Sequence, residues 1–364
     1  MTVCLSPNGS TVYKGQAPAE DILVGTVAGI VRLHRENGSW RVAGRHLDGL
    51  HISSILLEPV QGGIFAGVHG EGLYFSGDGG QTWEPRMNGL TVKHVFSLST
   101  AQRDGSTVIY AGTEPAHLFE STDYGQSWTE LPNLRNVPDT ERWTFPAPPH
   151  IGHTKCIVVD PRDAKVLYAG IEQGALLKST DAGRTWRELA GFAKPEDTAY
   201  KDVHRIVLRP ANPDDIFMPS GIGLYASHDA GETWERVTDR GSRIGYPDQF
   251  LISPLDDRVM FMAGSKQSPG RWRDTHHADS TVMRSTDGGR TWAQAGQGLP
   301  DSMRGNIEAI SLGSYPGGFT IFAATTAGDV FVSEDQAETW QRIASGLPAI
   351  SKVGHYRALQ ETAA

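Results

Sequence analysis

Cysteine is scarce in this chain. Of 364 residues only Cys4 and Cys156 carry thiols, too few for the disulfide framework of a small secreted fold. There is no Cys-x-x-Cys pair and no His-x-x-x-His spacing, so no single segment carries a ready-made metal site. No apolar run approaches the length of a membrane span, and no basic tract stands out. The 33 basic and 42 acidic residues leave a net charge of −9, which offers little to a phosphate backbone or an anionic bilayer. Neither a nucleic-acid nor a membrane partner is expected. No leader, anchor or lipidation signal is legible, and the expected location is cytoplasmic.

Glycine, with 42 residues, and tryptophan, with nine, are plentiful, and both follow a repeat. The frame Ser-x-Asp-x-Gly-x-Thr-Trp, read from Ser179 to Trp186, recurs at Ser76–Trp83, Ser227–Trp234 and Ser285–Trp292, and at Ser121–Trp128 with Ser127 in the threonine place. A sixth copy, Ser333–Trp340, has Ala337 where the glycine should be, and Trp40 after Asn37-Gly38-Ser39 is a worn seventh. The tryptophans at 40, 83, 128, 186, 234, 292 and 340 lie 43 to 58 residues apart. A period of that length, with short β-rich runs between copies, predicts an all-β, single-domain, seven-bladed propeller spanning residues 1–364, with six box hairpins.

Within the frame, aspartate accepts hydrogen bonds from amides a few residues on, and glycine supplies positive φ. Threonine then leads into a strand, and tryptophan wedges an apolar body beside the neighbouring sheet. These are the properties of the Asp-box, or BNR repeat. From about residue 20 to 360 the chain resembles Asp-box propellers: sialidases, the ten-bladed sortilin-type receptors, xyloglucanases and the seven-bladed photosystem assembly factors. The resemblance implies the fold and a structural role for the box aspartates. A sialidase would need an early Arg-Ile-Pro motif, which is absent. Xyloglucanases use two propellers facing a cleft, and this chain has length for one. The assembly factors bind a protein partner without catalysis.

Strand patterns predict blades over residues 20–46, 51–86, 92–131, 153–189, 202–237, 248–295 and 306–344. The first lacks its inner strand. Residues 353–359 match the missing pattern and are expected to close the ring by pairing the two ends of the chain; residues 2–14 are the alternative. The long insertions, residues 132–150, 190–202 and 265–280, all fall on one predicted face, and long loops in compact repeats often carry function.

Inner-strand alignment puts His51 and His153 in one register, and His94, His204 and His355 two residues further along. Residues two apart share a strand face, so all five are expected at one channel mouth. His69, Glu114 and Glu172 end the second strands at that mouth, joined by Asp202, Asp248, Asn306 and Glu308. Imidazoles with carboxylates suit zinc, iron, copper or manganese; without metal they suit proton transfer. The five histidines are the candidate ligands, and Glu114, Glu172, His69 and His277 the candidate catalytic groups. Trp143, Trp272, Arg271 and Tyr200, from the insertions, are the candidate substrate contacts. Polar channel linings without activity and core packing by loop tryptophans are equally ordinary uses of these residue types. Two functions follow: a metal-assisted enzyme acting on a small ring-containing or anionic molecule, or a non-catalytic module binding a glycan or protein. A third is a glycosidase-like carboxylate pair drawn from Glu114, Glu172 or Asp197.

Overall fold

The computed structural model describes residues 1–192 and 201–359. The fold is an all-β seven-bladed propeller of seven sheets, six with four strands and one with five. Two compact units make it up: Ser54–Arg236, and Met1–Ser53 together with Val237–Ala364. The first unit holds blades 2 to 5, whose inner strands include Val95–Arg103 (blade 3), His153–Val159 (blade 4) and Val207–Leu208 (blade 5). The second unit holds blades 1, 6 and 7, with inner strands Thr2–Leu5, Tyr246–Ile252 and Ile307–Tyr315. Among the described residues no helix is long and apolar enough to cross a membrane.

The six boxes share one hydrogen-bond pattern. In the copy at Ser179, the Ser179 hydroxyl donates to Asp181 at 2.8 Å and accepts from the Gly183 amide at 2.9 Å. Asp181 then accepts from the Thr185 amide at 2.8 Å and the Thr185 hydroxyl at 2.6 Å. Those Thr185 bonds hold the Asp181 carboxyl down at about 2. Ser127 makes the same pair of bonds to Asp123, so either β-hydroxyl serves. Ala337 occupies the glycine place with φ of +69°, and its amide still bonds to Ser333 at 2.9 Å. That copy holds a left-handed alanine, so the neighbouring contacts impose the conformation.

The tryptophans divide into two groups. Trp83, Trp186, Trp234 and Trp292 donate their indole N–H to the carbonyl of their own box glycine. Trp128 and Trp340 instead reach the preceding blade, donating to Arg86 O at 2.9 Å and Ala295 O at 2.8 Å. Gly89, at φ +82°, receives the Trp128 backbone so closely that a Cβ there would lie 2.2 Å from Trp128 O. The apolar core lies between blades: Tyr110, Leu118, Leu167, Ile171 and Leu177 form one such layer.

The ring closes by its N-terminal segment. Thr2–Leu5 runs parallel to Asp21–Thr26 as the inner strand of blade 1, and Val12–Lys14 runs parallel to Ile307–Tyr315 of blade 7. Residues 353–359 do not form the expected closing strand; Gly354–Leu359 is a 3-10 helix. Val3, Cys4 and Leu5 are fully buried in the place it would need. The 265–280 insertion contains the α-helix Pro269–Thr275, and residues 132–150 contain two short 3-10 helices.

Candidate functional site

Four inner strands carry the same irregularity. Each has one extra residue relative to its partner strand, placing bulges at Phe96, Lys155, Asp248 and Glu308. In blade 5 the pairings Val203–Ser220 and Val207–Phe217 leave one residue too many on the inner strand as well. A bulge re-aims side chains that strict alternation would send elsewhere. It also corrects the sequence alignment: His94 and His153 both stand two residues before a bulge, so they share one register, while His204 falls within the irregular stretch between Val203 and Val207.

In the unit containing blades 2 to 5, this geometry assembles a continuous run of imidazoles and carboxylates. His94 Nδ1 lies 3.5 Å from His69 Nε2, and His69 Nε2 lies 3.5 Å from Glu114 Oε1. His153 Nδ1 faces Glu114 Oε2 at 3.4 Å, and its Nε2 meets Glu172 Oε2 at 2.7 Å. Lys155 Nζ is 3.2 Å from the same Glu172 oxygen. His204 Nε2 lies 3.9 Å from Glu172 and 3.4 Å from Asp202. His153 is fully buried, its ring stacked on Phe96 at 3.8 Å and tilted against Phe145 at 5.0 Å. Gly221 makes room for Asp202: a Cβ there would fall 1.9 Å from the carboxylate.

Two triplets within this run bring one ligand atom each to within 4.8 Å of one another: His69, His94 and Glu114, and Glu172, Asp202 and His204. They differ in surroundings. The second is largely buried and already faces the Lys155 ammonium. The first is partly open, with the His69 side chain 26% exposed. Burial resists ionisation of Glu114, but the His153 and His69 imidazoles overcome it and hold the carboxyl at about 2. Burial, then the charge of His69, pushes the His94 imidazole down, with Glu114 opposing.

The unit containing blades 1, 6 and 7 has its own buried network. Lys352 pairs with Asp248, and Asn306 donates to the other Asp248 oxygen. Glu308 accepts from the Lys352 amide at 2.9 Å and the Ser351 hydroxyl at 3.2 Å, with His355 Nδ1 3.4 Å away. Burial opposes ionisation of Glu308, yet His355 and Lys352 hold its carboxyl below the usual range. His51 bonds to the Ser351 carbonyl at 2.8 Å. His355 thus comes from the 3-10 helix, not from an inner strand.

The remaining candidates are not among the residues of the two triplets. Trp272 is 1% exposed, donates to Gln267 O at 2.8 Å and packs on Ala278 and Leu359; it does not present a ring face for stacking. Arg271 is exposed beside Asp274. His277 accepts from the Asp279 amide at 3.0 Å and lines a cavity of 350 Å³ with Arg271 and Lys266. Trp143 is half-buried against the layer between blades 3 and 4. Tyr200 lies outside the described residues. Sequence reasoning passed over Lys155 and Lys352. The signal for Lys155 was a lysine two residues from His153, entering an otherwise apolar run Cys156–Val159.

No family model matches the chain. It is a distant relative of two groups of propellers. Xyloglucanase Xgh74A of Acetivibrio thermocellus is 26% identical over 244 residues, covering 60% of this chain and 28% of that protein. The photosystem II assembly lipoprotein Ycf48 of Synechococcus is 30% identical over 178 residues, covering 47% and 46%. The chain therefore matches less than a third of the length of that xyloglucanase. Among solved structures, an ancestral GH74 enzyme superposes with a TM-score of 0.62 at 17% identity, covering 92% of this chain and 40% of that one. Ycf48 bound to D1 peptide gives 0.53 at 17% identity, covering 88% and 93%. At such identities the likeness is one of fold.

Proposed function

We propose that the chain is a metal-assisted enzyme whose divalent transition metal is held by His69, His94 and Glu114, and that it acts on a small anionic or ring-containing molecule. The observation that carries this is the convergence of two imidazoles and a carboxylate within 4.8 Å at a partly open position. Two imidazoles and one carboxylate with room for further ligands suit zinc, manganese or iron(II). The protonation states fit too: a metal needs an ionised carboxylate and neutral imidazoles, and Glu114 is held low while His94 is pushed down. A bound metal would polarise a substrate oxygen or acidify a water. His153, wedged between Glu114 and Glu172, would fix the Glu114 carboxylate from behind. The test is metal content after loading with zinc, manganese or iron(II): about one ion per chain, lost in a His69→Ala/His94→Ala variant that still folds. Undetectable binding of all three metals would end this proposal.

A binding module for a glycan or a protein is the second reading. It is favoured by the names of the relatives, one group xyloglucanases and the other including Ycf48 bound to D1 peptide. A glycosidase-like pair has less support. Its general acid needs a raised carboxyl, whereas Glu114 titrates near 2.

A further inference from the structure

A cavity of 410 Å³ lies in the unit that holds blades 1, 6 and 7, where the 3-10 helix Gly354–Leu359 covers the turns after blade 7. Its walls are largely apolar, formed by Val27, Leu347, Pro348 and Leu359. Three polar side chains line it, Arg304, Tyr356 and Thr326, whose hydroxyl already accepts from the Asn306 amide at 2.9 Å. Arg304 is anchored at two points: Nη2 donates to Leu359 O at 2.8 Å, and Nε to His276 O at 3.4 Å. Its Nη1 has no acceptor among the described residues, and neither does the Tyr356 hydroxyl have a hydrogen-bond partner there. Among the described residues no aspartate or glutamate lines the space, although the chain as a whole carries a charge of −9. The Arg357 guanidinium, which does not line the cavity, lies 5.7 Å from the Tyr356 ring.

We infer that this cavity is a binding site for a small carboxylate with an apolar body. A guanidinium already fixed by two carbonyls loses little freedom when its remaining donor takes up an anion, and the apolar walls favour a hydrocarbon or aromatic body over free phosphate. The volume falls in the range of small-ligand sites. A phenolic hydroxyl lining the same cavity can donate to the second carboxylate oxygen. The site shares no residue with the imidazole–carboxylate triplet and its ligand binding does not call on the metal.

The experiment titrates the full chain with benzoate, and with benzamide as its neutral counterpart, by isothermal calorimetry and by amide shifts in NMR. Benzoate should bind at least about tenfold more tightly than benzamide, a difference of about 1.4 kcal/mol. Arg304→Gln should weaken benzoate about tenfold or more, and Tyr356→Phe several-fold. Since Arg304 also ties the helix down, Ala327→Trp provides an independent variant: it fills the cavity from its rim, leaves Arg304 in place and should abolish binding without lowering the melting temperature. No binding of benzoate at about 10 mM, equal affinity for benzamide, or benzoate affinity unchanged in Ala327→Trp would each overturn the inference.

Discussion

Lys352 and Asp248 show how single residues govern this molecule. Each is about 1–2% exposed, and they neutralise one another beside Glu308. Removing one member of such a pair strands a charge in a poorly solvated place. Lys352→Met should therefore cost about 3–5 kcal/mol of unfolding free energy in urea titrations, with much of it restored by adding Asp248→Asn. Glu114 gives a pH prediction. Its folded pKa, about 2, lies below the ordinary glutamate value of 4.5, so its contribution is complete above the unfolded pKa and is lost as pH falls through about 2. Glu114→Gln should thus flatten part of the drop in melting temperature between about pH 5 and pH 2.5, and an unchanged slope would refute that assignment. These residues were only partly legible. Glu114, Glu172 and His153 could be placed from their strands, but Lys155, which lies 3.2 Å from Glu172, sits at a bulge that no sequence period announces.

The recurring element is the box hairpin, and it was the most legible part of the chain. Every contact within Ser179–Trp186 lies within four residues, so the hydrogen-bond pattern is written locally. The packing of boxes on one another is not local. Trp128 and Trp340 leave their own turns for the preceding blade, and Gly89 gives way to the Trp128 backbone. Gly89→Ala meets both a positive φ and a contact of 2.2 Å, and should lower stability by about 2 kcal/mol or more in urea titrations. The misplaced register of His94 comes from hairpin length, since the bulges at Phe96 and Lys155 are equivalent. After the bulge the inner strand runs on to Arg103 in blade 3 but only to Val159 in blade 4, so a count back from the turn puts His94 out of step with His153.

At the scale of the whole molecule, blade number followed from the tryptophan spacing and closure from the pairing of the two chain ends, but the choice of residues 2–14 over 353–359 did not. Gly354–Leu359 has strand-like residues and still forms a 3-10 helix, because Thr2–Leu5 already fills the inner place and His355 turns toward Glu308. Deleting residues 1–14 should strip blade 1 of its inner strand and uncover the edge of blade 7. The expected outcome is aggregation or a large loss of cooperative unfolding, followed by size-exclusion chromatography and circular dichroism. Wild-type behaviour of that truncation would contradict the closure described.

Pairing Val12–Lys14 with Leu312–Ser314 has a temporal cost. A ribosome makes these partners some three hundred residues apart, so at about 5–20 residues per second the early strand waits many seconds for its mate. Throughout that interval its backbone amides are open to other chains, and the nascent propeller depends on whatever shields it until blade 7 emerges.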